Sequence, residues 1–391
     1  MTQQASRPGL LAPYAAFAFT LGLGWFVLAP LVPVLMAHFH IALGSALLPI
    51  SLFGYAMIVG SLPAGFWVAR QGPGSALKLA VALTAAGLIT RALAADYPVF
   101  VVGQALAALA YPLLIAPIGA VLRLGGLAHL KSATGLVIGT LFFGMAVGAL
   151  LGGHLSPSTD LWLAVTVNLL AGFWLWTRVA RLERPTPVAL GPVRLVMSGW
   201  WVIGFVVAST TVMMGSVSSA ALTHLHVAAA LTLGSLLTAL TFVGSAVGAA
   251  AFGWIGQRAG DDTRRLQQGL GVVMWFVTMA AGAVLTGLWP VRGSGLDALF
   301  LLLGLVGNGW YALALESAAR DARSAGSAGL ATAGYSLASN VGVAVLPTLL
   351  GPLVVTAALG WWTITTLLAV VAAVMPFVLG PSAPAAAGSP S

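Results

Sequence analysis

The sequence has no cysteine and very few charged residues, and these two absences exclude several kinds of protein. Of its 391 residues, 6% are Asp, Glu, Lys or Arg, whereas soluble domains contain roughly 25%. The lack of cysteine excludes disulfides, thiolate metal sites and cysteine nucleophiles. No Gly-x-x-x-x-Gly-Lys-Ser/Thr phosphate loop occurs, so ATP hydrolysis at such a loop is excluded too. We predict that the chain is not an enzyme and has no cofactor, catalytic residue or metal site.

Long apolar segments are what the chain does have, since 60% of its residues are hydrophobic. A run of about 20 apolar residues crosses the hydrocarbon core of a bilayer as a helix. The segments predict an all-α membrane protein with twelve transmembrane helices, and the first one is too long for a signal peptide. The predicted spans are residues 11–36, 45–69, 77–95, 98–122, 132–154, 161–179, 196–221, 229–255, 269–289, 296–319, 326–350 and 358–379.

One long polar connection divides the twelve spans into two sets of six. It is rich in Arg, Glu and Pro, and we interpret residues 181–195 as a cytoplasmic linker between an N-terminal half, 1–180, and a C-terminal half, 196–380. The tail, residues 381–391, contains only Pro, Ala, Gly and Ser. Because it lacks the apolar content needed for packing, we predict that this tail is disordered.

The net charge of +8 follows from where the cations lie along the chain. With a cytoplasmic N-terminus, only Arg91 and Arg292 fall on the outer side. This bias satisfies the positive-inside rule. It predicts a multi-pass inner-membrane protein with both termini in the cytoplasm, and not a nucleic-acid-binding protein. The excess of Arg over Lys and the abundance of Ala and Gly indicate a bacterial source. The cations on the inner side are Arg7, Arg70, Lys78, Arg123, Lys131, Arg178, Arg181, Arg184, Arg194, Arg258, Arg264, Arg265, Arg320 and Arg323.

Corresponding helices of the two halves share sequence features in the same order. The fourth and tenth spans match through Tyr111 and Tyr311, each 12 residues before an arginine. The second and eighth spans end in similar eight-residue stretches, GFWVARQG and GWIGQRAG. Matches in the same order, with offsets near half the chain length, indicate a duplication. The shared or aligned positions of the two stretches are Gly65, Arg70 and Gly72 in the first, and Gly253, Gln257, Arg258 and Gly260 in the second.

These stretches resemble the Gly-x-x-x-Asp-Arg-x-Gly motif of the major facilitator superfamily, and the resemblance covers residues 10–380. It implies the fold of that family, with two six-helix halves related by a pseudo-two-fold axis. It also implies that the seven motif residues form a conformational latch at the cytoplasmic face. In the family, an acidic residue joins this latch, but here Ala69 and Gln257 stand at its position. We expect Gly65 to let two helices approach closely and Gly72 to allow a sharp turn.

Polar and aromatic residues near the middle of the bilayer are the candidates for substrate binding. Transporters of this architecture hold substrate at that depth, which can be counted at 1.5 Å per residue. Tyr111 and Tyr311 are the strongest pair because of their symmetry. Hydrogen bonding between helices is the alternative role, and Thr210 and Thr211 can bond their own helix. The candidates are Trp25, Tyr55, Tyr111, Thr210, Thr211, Asn308, Tyr311, Tyr335 and Asn340.

No acidic residue falls at the membrane midplane, where proton relays usually have one. Arg91, with Asp96 as a partner, and Glu316 are the nearest candidates for a coupling role. Glu316 precedes Arg320 by one helical turn, so a structural ion pair is the competing interpretation. Because no Arg or Lys is counted at the midplane, we expect a neutral, zwitterionic or modestly polar substrate.

The function expected from these features is transport of a small organic solute by alternating access, either facilitative or secondary active. The transporter is expected to be a monomer in the lipid bilayer. The main alternative is a proton-coupled drug or metabolite efflux antiporter. It is disfavoured because Ala149 follows Gly148 where such members of the family often have Gly-Pro. An intramembrane enzyme or a non-transporting receptor is a remote alternative, since no acid/base constellation is present.

Overall fold

The computed structural model describes residues 9–118, 121, 130–152, 154–179, 199–259, 263–290, 295–320 and 325–379. Within these residues the secondary structure is helical, with no strand. The helices are α1 Leu11–Phe26, α2 Val32–Phe39, α3 Leu43–Gln71, α4 Pro73–Ala92, α5 Tyr97–Ile115, α6 Leu130–Leu151, α7 Pro157–Val179, α8 Trp200–His224, α9 Ala230–Ala259, α10 Thr263–Leu285, α11 Gly295–Arg320, α12 Ala325–Leu350, α13 Leu353–Thr356 and α14 Ala358–Val378.

The helices that cross the membrane correspond to the twelve predicted spans. Among the described residues, ten helices are long and apolar enough to cross a bilayer, and α1 and α6 contain shorter apolar helical stretches. Each overlaps one predicted span. The prediction of an all-α protein with twelve transmembrane helices is therefore confirmed.

The first span is not the continuous helix that its hydropathy predicted. The helix α1 ends at Phe26, and the chain turns through residues 27–31 before α2 begins at Val32. Short turns replace helical bonding there, with the Ala29 N–H donating to the Phe26 carbonyl at 3.1 Å. Pro30 explains the break, because proline has no N–H and its ring clashes with the carbonyl four residues earlier.

An even number of crossings puts both ends of the chain on one face of the bundle, which we call the terminal face. The opposite face, called the distal face, carries the end of α2 and the short helix α13. At the terminal face, the Arg264 Nη2 donates to the Pro376 carbonyl at 3.3 Å. This bond joins the start of α10 to the end of α14.

Helix packing repeats between the two sets of six spans. In the first set α1 packs on α6, α3 on α5 and α4 on α7, and in the second set α8 packs on α12, α9 on α11 and α10 on α14. The two sets meet where α3 packs on α12 and α6 packs on α9. This arrangement is the one that a duplicated six-helix unit produces. The predicted linker, 181–195, and tail, 381–391, lie outside the described residues.

Glycines let α1 and α6 touch through their backbones. A Cβ atom added to Gly22 would lie 3.0 Å from the Met145 nitrogen, and one added to Gly148 would lie 2.9 Å from the Val27 nitrogen. Small residues permit this close approach in membranes, where packing and not water drives helix association.

The two glycines of the predicted latch in the first half behave differently. Gly72 has φ +86° and joins α3 to α4 in a tight turn, as predicted. The expectation of close packing at Gly65 is wrong, since no described atom would lie within 4 Å of a Cβ added there. Residue 65 instead lies on an open side of α3.

Candidate functional site

Three aromatic residues from three helices of the first half meet in the interior. The indole of Trp25 on α1 stacks on the ring of Phe53 on α3, with centroids 4.2 Å apart and planes 6° apart. The Tyr111 ring on α5 lies 5.5 Å from Trp25. The Trp25 Nε1 donates to the Ile50 carbonyl at 2.9 Å. This hydrogen bond satisfies the polar atom of a buried indole and fixes its orientation.

Two tyrosines of the second half form the matching part of the site. The rings of Tyr311 on α11 and Tyr335 on α12 lie 4.9 Å apart, and the Tyr335 hydroxyl donates to the Tyr311 carbonyl at 3.0 Å. The Tyr311 hydroxyl has hydrogen-bonding contacts with Ser336 and Ser339. Both rings are thus oriented by bonds between α11 and α12.

The two groups of rings lie in different halves of the chain, the first on α1, α3 and α5 and the second on α11 and α12. Tyr111 and Tyr311 are partly buried and occupy matching positions of α5 and α11. We call Trp25, Phe53, Tyr111, Tyr311 and Tyr335 the central aromatic cluster. Sequence reasoning found four of its members and missed Phe53, which is apolar and carries no signal that separates it from ordinary core residues.

The other predicted binding residues hydrogen-bond within the bundle. The Asn308 amide donates to the Ser245 hydroxyl at 2.7 Å, which links α11 to α9. Thr210 and Thr211 donate to carbonyls of their own helix, at 2.7 and 3.1 Å, and Asn340 donates to the carbonyl of Ser336, also within one helix. These bonds satisfy polar groups without a ligand.

Tyr55 lies on α3 two residues beyond Phe53 and is partly buried. Residues two apart in a helix point in different directions. Tyr55 therefore does not share the face of α3 on which Phe53 stacks against Trp25.

Arg91 reaches further into the protein than its position near the end of α4 suggests. Its side chain is 1% exposed, and its Nη1 donates to the Gly24 carbonyl at 2.7 Å and to the Gln104 Oε1 at 2.6 Å. The predicted partner Asp96 is exposed and instead caps α5 by accepting from the Val99 N–H. The guanidinium therefore extends from α4 to α1 and α5, and the expectation that no cationic group lies at the membrane midplane stays a prediction.

The latch residues that the structure describes lie toward the terminal face. Arg70 is exposed in the last turn of α3, and Gly253 lies in the last third of α9. The side chains of Ala69, Gln257, Arg258 and Glu316, together with residue Gly260, lie outside the described part of the structure. Their predicted roles stay predictions.

Contacts between the halves close the distal side of the bundle. The Ser51 and Thr348 hydroxyls are hydrogen-bonded at 2.7 Å between α3 and α12. The rings of Phe26 and Phe242 meet edge to face at 4.2 Å. The Ser235 hydroxyl on α9 donates to the Ala149 carbonyl on α6 at 2.6 Å. All of these residues lie in the distal half of their helices.

Comparisons with known proteins agree with this architecture. Residues 14–328 match the family described as Major Facilitator Superfamily. A comparison with curated protein sequences found no significant match.

Two solved structures are similar over nearly the whole chain. A D-xylose-proton symporter has a TM-score of 0.73 and 15% identity, covering 95% of this chain and 97% of that one. A bacterial homolog of the human lysosomal transporter Spinster, in an inward-facing and unoccupied conformation, has a TM-score of 0.71 and 13% identity, covering 96% and 97%. At these identities the likeness shows the fold. The family match, which spans most of the sequence, shows that the chain belongs to the Major Facilitator Superfamily and is a secondary or facilitative membrane transporter of small solutes.

Proposed function

We propose that the chain moves a small organic solute by alternating access, with the central aromatic cluster as its binding site. The observation that carries this proposal is the pairing of Tyr111 and Tyr311. They occupy matching positions of α5 and α11, and each ring packs against another aromatic ring of its own half, Tyr111 against Trp25 and Tyr311 against Tyr335. A solute held between them contacts both halves at once, as expected for transporters built from repeats that hold substrate at the midplane.

The chemistry of the cluster favours a solute with an apolar or planar body. Stacked rings such as Trp25 and Phe53 supply large apolar surfaces, and the tyrosine hydroxyls supply a small number of hydrogen-bonding groups. Binding sites for small molecules commonly combine such walls with a few well-placed polar atoms.

The contacts at the distal face support a conformation in which the solute exchanges at the terminal face. Ser51 with Thr348, and Phe26 with Phe242, join the halves on the distal side of the cluster. Rocking of the halves must break these contacts before the distal side can open. The equilibrium between the two conformations then depends on how strongly each interaction favours one of them.

The orientation follows from the distribution of charge. The excess of Arg and Lys in the loops of the terminal face supports a cytoplasmic position for that face and for both termini, in the inner membrane of a bacterium. The halves 1–180 and 196–380 rock as rigid bodies joined by the linker 181–195, within a monomer. The motif residues Arg70 and Arg258 form the latch of the cytoplasmic face.

The test uses the purified chain in liposomes and benefits from the absence of native cysteine. A single cysteine at Ser51, which is 0% exposed, reports opening of the distal side to a membrane-impermeant maleimide. A labelled solute library is offered to liposomes with and without the protein. We expect one class of solute to enter only with the protein and to change the labelling of the cysteine. The proposal fails if no solute is moved and labelling never responds.

A further inference from the structure

A groove runs along the outside of the first half, between α4 and α7. It has a volume of about 350 Å³ and is lined by Val81 of α4 and by Leu169, Phe173 and Trp176 of α7. The three residues of α7 are four and three positions apart, so they share one face of the helix. All three are exposed, Phe173 by 72%. The groove therefore opens to the surroundings of the bundle, which in a membrane are lipid.

A glycine of α7 forms the floor of the groove. A Cβ added to Gly172 would lie 2.9 Å from the Cγ1 of Val81, so the two helices approach closely where residue 172 has no side chain. Small residues permit such an approach between helices in a membrane. The neighbouring side chain of Phe173 projects beyond this contact. The groove is thus fixed by the packing of two long helices, and its shape does not depend on a loop.

A cation lies at the terminal end of the groove. The Nζ of Lys78 is placed over the ring of Trp176, 5.5 Å from its centroid. The helix α4 begins at the terminal face and α7 ends there, at Val179. Leu169 lies seven residues before Trp176, which puts it about 10 Å deeper in the membrane at 1.5 Å per residue. The groove therefore leads from a charged group near the membrane surface toward the apolar interior.

Among the described residues, no carboxylate neutralises Lys78. The described acidic side chains, Asp96, Asp160 and Asp297, all lie at the distal ends of their helices. The ring of Trp176 attracts the ammonium through its π face but offers no oxygen acceptor, and an ammonium has three N–H donors. Lys78 is only partly buried, so an anion can reach it from the lipid side.

From this arrangement we propose that the groove binds one anionic phospholipid. The phosphate of the lipid binds the ammonium of Lys78, and one acyl chain lies along Val81, Phe173 and Leu169. A cation at the membrane surface with an apolar groove beneath it matches the order of headgroup and acyl chain in a phospholipid. Trp176 lies between the two parts, at the depth where tryptophan is favoured in membrane proteins. This site goes beyond the proposed function and does not depend on it.

The test measures which lipid occupies the groove, with a reporter placed beside it. Because the chain has no native cysteine, a single cysteine at Leu170, which is 69% exposed, carries the only fluorophore. The full-length protein is reconstituted in vesicles of equal parts phosphatidylglycerol and phosphatidylcholine with the same acyl chains. The chains are brominated in one lipid or in the other. Bromine quenches only a nearby fluorophore, so the ratio of the two quenching values gives the enrichment of phosphatidylglycerol at the reporter.

A second reporter and three variants locate the charge that recognises the lipid. The control reporter is a cysteine at Phe276, which is 53% exposed on α10, the counterpart of α4 in the second half. We expect about fivefold enrichment at residue 170 and little at residue 276, since one cation near an anionic lipid contributes about 1 kcal/mol. Lys78→Gln should abolish the enrichment, and Lys78→Arg should retain it. Arg265→Gln removes an exposed cation at the start of α10 and should change nothing at residue 170.

Four results would overturn the proposal. Equal enrichment at the two reporters would show ordinary lipid around the bundle and no site. Enrichment that persists in Lys78→Gln, with the gel-filtration profile of the folded protein, would place the anion elsewhere. Equal losses in Lys78→Gln and Arg265→Gln would show attraction to the whole basic face. Displacement of the lipid by glycerol 3-phosphate at constant ionic strength would show that the groove recognises a free phosphate ester and not a phospholipid.

Discussion

Gly54 of α3 and Ala344 of α12 are in backbone contact across the interface between the two halves. A Cβ atom added to Gly54 would lie 2.6 Å from the nitrogen and 2.8 Å from the Cα of Ala344. The closed distal side therefore depends on the absence of a side chain at residue 54. The backbone of Ala344 cannot move aside without moving α12.

Substitution of Gly54 by Ala should disfavour the conformation with a closed distal side. Overpacking of this kind typically costs about 1–3 kcal/mol, so the equilibrium should shift toward the distal-open state. The measurement is maleimide labelling of a cysteine at Ser51, which should become faster. Gly44→Ala is the matched control on the same helix, since its Cβ would lie 3.6 Å from Pro352 and Thr348, an ordinary contact. Equal labelling rates in the two variants would contradict the prediction.

Cysteines at Ser51 and Thr348 should form a disulfide that locks the distal side. The two hydroxyl oxygens are 2.7 Å apart, which brings their side chains within the range that a disulfide spans. Because the native chain has no cysteine, any disulfide within one molecule joins these two positions. Transport should stop on oxidation and return on reduction, while either single-cysteine variant stays active. A cross-linked protein that still transports would show that the distal side need not open.

Removal of either central hydroxyl should weaken substrate binding. Tyr111→Phe and Tyr311→Phe should each cost about 0.5–1.5 kcal/mol, the usual net value of a hydrogen bond, measured as the dissociation constant of whichever solute the liposome assay identifies. Tyr97→Phe is the control, because that hydroxyl donates to the Ser45 carbonyl near the distal face. Unchanged affinity in both central variants would remove these hydroxyls from the site.

Ser245→Ala should destabilise the bundle without changing substrate affinity. The variant leaves the buried amide of Asn308 without its partner, and an unsatisfied buried polar group costs about 1–3 kcal/mol. The matched control is Ser218→Ala, since the Ser218 hydroxyl is equally buried but bonds only its own helix. Thermal unfolding and ligand titration separate the two roles. A loss of affinity at unchanged stability would instead make Asn308 a substrate ligand.

The sequence predicts the membrane crossings well because each crossing depends on the mean hydropathy of some twenty residues, which no single side chain can alter. The mean hydropathy of the first span did not reveal the helix break after Phe26, although Pro30 indicates such a break in the sequence. Arg91 shows a second limit of sequence-based prediction, which concerns the position of a charged side chain. Depth counted along a helix locates the backbone, whereas a long side chain places its charge several ångströms away, in a direction that only its neighbours Gly24 and Gln104 decide.

Most of the central aromatic cluster could be found by counting because tyrosine and tryptophan are uncommon at that depth. The stacking of Phe53 on Trp25 could not, since it depends on how α1 and α3 rotate against each other. The roles of Asn308 and Thr210 were left open by the sequence for a related reason. A polar group in a membrane helix needs a partner, and sequence alone does not say whether that partner is a neighbour, its own helix or a ligand.

The glycines between α1 and α6 have a mechanical consequence. Since Gly22 and Gly148 bring the two backbones into contact, no layer of side chains lies between these helices that could rearrange and absorb a displacement. The helix α6 also accepts the hydrogen bond of Ser235 from the opposite half at Ala149, and α1 carries Trp25. We therefore expect α1 and α6 to move together as one rigid unit, so that a shift of the second half against α6 also displaces the indole of Trp25.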